Sequence, residues 1–311
     1  MIRTTSHAAA LVLTQGEPTG IGPELLLRAA AADLLCPNDR VFADPDGLRR
    51  LASALGRWAE RGWTTLEPLL APAACGGLRA TDALEHAVTD VMARPGTALV
   101  TAPIDKARCH AQGFRFPGHT EYLAARAGVS DYAMFLVGSR MRVALVTIHV
   151  PLCDVSAAID RESVIRVTKL VASCLRAQFR CVRPRIGVLG LNPHAGEQGL
   201  LGSEEIERIA PAIDSLRVGD PSCEFSGPLP ADSAFARHAE GRYDALVAMY
   251  HDQALGPFKL MHFHDGVNMT LGLPFCRTSP DHGTARDIVN KGVADPSSFF
   301  AAISLARGEL P

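Results

Sequence analysis

The residues able to do chemistry in this chain stand in short polar clusters just beyond apolar, β-branched runs. His149 follows such a run at 143–148 and leads into Val150-Pro151-Leu152. His194 lies in Leu191-Asn192-Pro193-His194-Ala195-Gly196-Glu197, and His251 follows a run at 245–248 within Met249-Tyr250-His251-Asp252-Gln253. Neutral imidazoles are good ligands for a divalent metal, and three of them leave coordination positions open for substrate or water. Their spacing is too wide for a local metal motif, so convergence must come from the fold. Any one of them alone reads more readily as a hydrogen-bonded core or turn residue, and it is the recurrence of three at matching strand ends that favours a metal.

Two further groups carry charge. Lys259, Asn268 and Arg277 are the residue types that hold a phosphate or carboxylate through charge-assisted hydrogen bonds. Gly118-His119-Thr120-Glu121 reads as a helix start with Thr120 as its cap, and Thr101-Ala102-Pro103-Ile104-Asp105-Lys106 ends a strand on a lone lysine. Glycines recur in Gly16-Glu17-Pro18-Thr19-Gly20-Ile21-Gly22-Pro23-Glu24, where a strand-to-helix turn would let the backbone approach an anion. The same segment is also what a tight turn with proline at the first helical position looks like. Its spacing is not the G-x-G-x-x-G of dinucleotide-binding turns. Late in the chain, Gly283 and Thr284 precede a short helix and could offer N–H groups to a ribose or pyrophosphate. His262 and His264 read as solvent-facing, while His7, His86, His110 and His238 have no supporting context.

The elements that must position these residues alternate. Strands are expected at 10–14, 97–101, 133–137, 143–148, 185–189, 245–248 and 267–271. Helices are expected near 23–32, 81–93, 121–127, 161–177, 203–212 and 232–238, with Ser203 and the acids after it as a capped helix start. Such alternation predicts an α/β fold with a largely parallel sheet, whose ligand sites form at the carboxyl ends of the strands. The coarse division is two-lobed: a middle lobe at 120–250 inserted into a lobe made of 1–119 and 251–311.

Composition narrows the classes. The chain has 311 residues, 47% hydrophobic and 21% charged, and its 31 basic and 33 acidic side chains give a net charge of −2. That balance excludes a coat for nucleic acid or for an anionic membrane, though not a local basic pocket. The apolar stretch at 8–13 is too short for a signal segment or a membrane span, so a cytoplasmic protein is expected. Its eight cysteines include no C-x-x-C pair and are expected to be reduced and mostly buried.

Taken in order, eight segments resemble one family. They are Glu17-Pro18-Thr19-Gly20-Ile21-Gly22-Pro23-Glu24, Thr101 to Lys106, Gly118 to Glu121, His149-Val150-Pro151-Leu152, Leu191 to Glu197, Pro230-Ala231-Asp232-Ser233, Met249 to Gln253, and Arg277 to Ala285. The chain resembles the 4-hydroxythreonine-4-phosphate dehydrogenases of pyridoxal phosphate biosynthesis and their close relatives. The resemblance implies an isocitrate/isopropylmalate dehydrogenase-like fold and a homodimer with a shared active site. It implies a divalent metal (zinc, magnesium or cobalt) on His149, His194 and His251. His119 and Thr120 match substrate-binding positions, and Lys259, Asn268 and Arg277 match the groups that hold a small phosphorylated substrate. His282, Gly283, Thr284 and Asp287 match a loop on the adenosine side of NAD (or NADP). The expected chemistry is oxidation and decarboxylation of a phosphorylated 3-hydroxy acid, with Lys106 as base and Asp252 assisting.

The chain departs from the family pattern at Glu17, where Asp is usual, at Thr19, where Ala is usual, at Pro117, where Thr is common, and at Asn290, where Gly is usual. Relatives acting on D-threonate or D-erythronate 4-phosphate share the same residues. A metal-dependent phosphatase or hydrolase could also use three histidines and a basic pocket, without the cofactor loop. A catalytically silent metabolite-binding protein is the third class.

Overall fold

The computed structural model describes residues 9–309, so His7 and the start of the first apolar stretch at Ala8 lie outside the described residues. The strands in chain order are β1 Leu11–Thr14, β2 Arg40–Phe42, β3 Ala98–Thr101, β4 Ala133–Val137, β5 Arg142–Leu145, β6 Arg185–Leu189, β7 Glu224–Leu229, β8 Ala245–Ala248, β9 Val267–Leu271 and β10 Arg277–Pro280. Contacts divide the chain into two compact units. One comprises the residues up to Val129 together with those from Leu273 onward, and the other runs Ser130–Gly272.

In the first unit the strand order is β2-β1-β3-β10, all parallel, with Val12 opposite Leu99 and Thr278 opposite Val100. β1 and β3 are buried along their whole length and carry uninterrupted apolar runs, as strands covered on both faces do. The two chain ends are joined at Asp39. Its buried carboxylate accepts hydrogen bonds from Leu11 N (2.9 Å), Cys36 N (2.7 Å) and both terminal nitrogens of Arg307, one residue beyond the helix Ser297–Ala306. Aromatic packing of Phe114, Phe116 and Tyr122, with ring centroids 5.2–5.6 Å apart, anchors the helix His119–Ala127.

In the second unit the order is β9-β4-β5-β8-β6-β7. β4 runs antiparallel to both β9 and β5, and the remaining pairings are parallel. The helix Arg161–Ala177 opens on a capping box between Asp160 and Ser163. It buries Val164, Val167, Thr168, Val171 and Leu175, the three-and-four spacing that lays one face on a core. Each large aliphatic side chain buried this way stabilises by about 1.5–3 kcal/mol.

Several expectations change. β10 is not among the expected strands, since Arg-Thr-Ser-Pro lacks an apolar β-branched run, yet all four of its positions are buried. Its Thr278 hydroxyl is satisfied by Ala302 O at 2.8 Å. The helix His251–His262 contains Gly256 and Pro257, which mask its pattern in sequence. His262 is buried rather than solvent-facing, with its ring 5.2 Å from Phe258 and its Nδ1 3.1 Å from the Asp265 carboxylate. None of the eight cysteines is paired, as expected, but only Cys109, Cys174 and Cys223 are buried. The helical stretch Glu205–Ile209 that follows Ser203 has no side-chain cap; its N-cap position is Glu204. No helix among the described residues is long and apolar enough to cross a membrane.

Candidate active site

In the first unit the polar residues gather where β1, β3 and β10 meet their loops. Arg277 opens β10, is 2% exposed, and donates to Thr101 Oγ1 at the end of β3 (2.7 Å). Burial pushes its pKa down to about 10, partly offset by Glu121. His119 opens its helix behind Gly118, which is the N-cap; Thr120 therefore sits buried inside the first turn and does not cap. The His119 Nε2 is enclosed without a hydrogen-bond partner. Burial, then the charges of Arg277 and Lys106, hold this imidazole well below its usual range, so it is neutral at pH 7. Lys106 is exposed at the start of the helix Lys106–Ala111, and its Nζ lies 3.9 Å from where a Cβ on Gly118 would stand. Lys106, His119, Thr120 and Arg277 thus form one group with two cations and a neutral imidazole, suited to an anionic ligand.

The glycine-rich turn adjoins the later loop directly. Ile21 N donates to Thr284 O (3.1 Å), and a Cβ on Gly20 would stand 3.1 Å from Thr284 Cβ. Gly16 (φ +67°) allows no side chain at all, since a Cβ there would lie 2.3 Å from Pro103 O. Around Gly283 the space is open, while the neighbouring His282 has its Nδ1 3.0 Å from Gly283 O and its Nε2 enclosed without a partner. Asp287 is exposed on the short turn Arg286–Ile288, and Arg286 pairs with Asp105, the residue that caps the Lys106 helix. The backbone at 283 can therefore approach a ligand.

Two of the sequence departures belong to one network. The Glu17 carboxylate accepts from Thr19 N (3.1 Å) and Thr19 Oγ1 (2.7 Å) and pairs with Arg108 (3.1 Å), which also donates to Thr19 Oγ1 (2.7 Å). Asn290, one of the departures from the family pattern, has φ +61°, a conformation that asparagine tolerates better than other side-chain-bearing residues.

In the second unit the three metal-ligand candidates are placed unequally. The His149 and His251 rings lie 5.7 Å apart. Asp252 bonds His251 Nδ1 at 2.7 Å, which leaves Nε2 outward, the orientation that carboxylates impose on metal-binding imidazoles. Asp252 is itself largely exposed and engaged with His251. His194 is exposed on a separate turn, and no group of three or more His, Cys, Asp or Glu side chains among the described residues is arranged to hold a metal. Lys259 stands on the helix His251–His262 with its Nζ 5.7 Å from the Phe263 ring, and Asn268 is half-buried on β9 opposite Leu136.

Polar side chains invisible to sequence reasoning link these segments. Thr147 Oγ1 donates to Met249 O (2.8 Å) and ties the strand end before His149 to the start of the His251 helix. Gln253 accepts from Met249 N (2.7 Å) and donates to Gly190 O (2.8 Å) at the end of β6. Glu204 accepts from Ser156 Oγ (2.6 Å) and Asn192 Nδ2 (2.7 Å), and the Ser156 bond first of all lowers its pKa. Only the Asn-Pro-His and His-Asp-Gln motifs themselves hinted at such supports.

Comparison with known proteins identifies the family. The family described as pyridoxal phosphate biosynthetic protein PdxA matches residues 65–306. A 4-hydroxythreonine-4-phosphate dehydrogenase of Azoarcus sp. is 43% identical, covering 95% of this chain and 94% of its own. A crystal structure of the Klebsiella pneumoniae 4-hydroxythreonine-4-phosphate dehydrogenase superposes with a TM-score of 0.83 at 35% identity, over 98% of this chain and 99% of that one. An isocitrate dehydrogenase from Methylococcus capsulatus, 14% identical with a TM-score of 0.51 over 97% and 86% of the two chains, shares the fold alone. With the model match spanning most of its length, this chain belongs to the PdxA family of pyridoxal phosphate biosynthetic proteins.

Proposed function

We propose that this chain is an NAD- and divalent-metal-dependent dehydrogenase. It oxidises and decarboxylates a phosphorylated 3-hydroxy acid, 4-phosphohydroxy-L-threonine, to 3-amino-2-oxopropyl phosphate. The observation that carries the metal part is the adjacent pair His149 and His251, with Asp252 on the Nδ1 of His251. The 43% identity to a 4-hydroxythreonine-4-phosphate dehydrogenase of Azoarcus sp. supports the reaction class and substrate.

The roles follow from each residue's surroundings. Arg277, buried in advance of any ligand, supplies positive charge in the first unit; Lys259 and Asn268 supply a cation and an amide in the second. Each of these groups, and Thr120, is of the type that holds a phosphate through hydrogen bonds. His119, kept neutral, accepts or donates one hydrogen bond without adding charge. Lys106, as the free amine, takes the hydroxyl proton, with Asp252 assisting. A metal on His149, His194 and His251 would lower the pKa of the substrate hydroxyl and favour negative charge on its oxygen. The turn 16–22 and residues 282–287 contact the cofactor through backbone at Gly283 and the enclosed His282 imidazole.

The working unit is a homodimer. Leu152, Leu200, Leu201 and Ile206, which follow His149 and His194 in sequence, are 75%, 82%, 45% and 56% exposed, apolar side chains of the kind a second copy would cover. The same chemistry on D-threonate or D-erythronate 4-phosphate is the second reading, motivated by the departures from the family pattern at Glu17 and Thr19, which join Arg108 in one network. The test is chelation. Removing divalent metal should abolish NADH formation and adding it back should restore it. Full activity in metal-free protein, or no calorimetric binding of NAD, would refute the proposal.

A further inference from the structure

His194 is carried by an unusual piece of backbone. His194, Ala195, Gly196, Glu197 and Gln198 all have φ between +44° and +78°, one left-handed turn in which only one residue is glycine. Left-handed backbone is disfavoured at each of the other four, so such a run persists only where the surroundings over-determine it. Within the turn, Ala195 N donates to Asn192 O and Leu201 N to Gly196 O, which closes it but does not explain its hand.

The surroundings centre on Glu205, a carboxylate 3% exposed in the helical stretch that follows. Its Oε1 accepts from Leu191 N and Asn192 N, both at 2.7 Å, and its Oε2 accepts from Asn192 Nδ2 at 2.9 Å. The same carboxylate fills the space on both sides of the turn. A Cβ on Gly190 would stand 3.0 Å from Glu205 Oε1 and 2.8 Å from Ala195 Cα, and one on Gly196 would stand 2.6 Å from Glu205 Oε2. Glu204 holds the second face of the same Asn192 amide. Without Glu205, two backbone N–H groups immediately before the turn lose their acceptor, and the turn loses the wall it packs against.

We propose that Glu205 is a positioning residue which, through Asn192 and the 191–192 backbone, holds the left-handed turn that presents His194 as a metal ligand. The inference rests on the metal reading of His149, His194 and His251. Ligand orientation is set by such supports, and their loss typically costs 10–100-fold in metal affinity. In Glu205→Gln the amide retains an acceptor for the backbone but turns a donor toward the Asn192 amide.

The experiment titrates the full-length protein with Co²⁺ against a competing chelator, recording the cobalt d–d absorption and the urea midpoint, for wild type, Glu205→Gln and His194→Ala. Glu205→Gln should bind Co²⁺ about 10–100-fold more weakly with an altered d–d spectrum, and His194→Ala should lose at least as much. A purely structural Glu205 would move the urea midpoint and leave affinity and spectrum at wild-type values. That result, with His194→Ala impaired, overturns the positioning role while sparing the metal reading. Wild-type affinity in His194→Ala overturns both. Asn192→Ala, which keeps both backbone bonds to Glu205, covers the case in which Glu205→Gln does not fold. It should show a smaller loss in the same direction, and wild-type affinity and spectrum there overturn the proposal.

Discussion

His238 makes the second unit acid-sensitive by an amount that can be worked out. It is 4% exposed on the helix Ala231–Ala239. Its Nε2 accepts from Arg142 N (2.8 Å) at the start of β5, and its Nδ1–H donates to Tyr243 O (2.9 Å) just before β8. These are the strands that lead to His149 and His251. Both bonds are made only by the neutral ring, since a proton on Nε2 would face the Arg142 N–H. Burial is the largest cause that pushes its pKa down to about 4. The unfolded chain titrates near 6.5 and binds the proton first, so folding stability is complete above that pH and falls as pH drops toward 4. At about 1.4 kcal/mol per pH unit, the loss across this window is about 3 kcal/mol. Urea denaturation between pH 7 and pH 4 should show this slope in the wild type. His238→Gln, whose amide can serve both partners without titrating, should be flatter by that amount. Equal pH slopes in the two proteins would refute the neutral-histidine reasoning, because every other titrating group is common to both.

Two further outcomes are expected. Arg277→Lys should raise KM for a phosphorylated substrate by roughly 10–100-fold, the loss of one charge-assisted hydrogen bond worth about 1.5–3 kcal/mol; unchanged kinetics would remove Arg277 from anion binding. Gly22→Ala would place a Cβ 1.9 Å from Gln15 O and 3.0 Å from Ala102 Cβ. It should lower stability by about 1–3 kcal/mol as the turn opens, and a wild-type urea midpoint would contradict the turn's geometry.

Much of the scaffold was legible because buried strands write themselves as apolar runs. β4, β6, β8 and β9 fall where the sequence places them. The missed strands are those that carry another message: β10 holds a buried arginine and two hydroxyl residues, β7 contains Gly-Pro, and β2 is three residues long. Periodicity finds faces, and these segments have none to show. At the candidate site, residue type and position beyond a strand were enough to single out His149 and His251, which do lie together. The supports were illegible for a physical reason. Glu204 and Glu205 look like acids favouring a helix dipole, and only the three-dimensional path shows them turned back onto Asn192. A run of positive φ likewise leaves little trace in sequence when four of its five residues are not glycine.

The measurement that bears most directly on the account is an NADH-coupled assay of purified, metal-loaded protein. It compares 4-phosphohydroxy-L-threonine with D-threonate and D-erythronate 4-phosphates and with unphosphorylated 4-hydroxy-L-threonine. The account predicts NADH formation from 4-phosphohydroxy-L-threonine, dependent on added divalent metal and absent with the unphosphorylated compound. Absence of NADH from all three phosphorylated compounds, above all if inorganic phosphate is released instead, would contradict it.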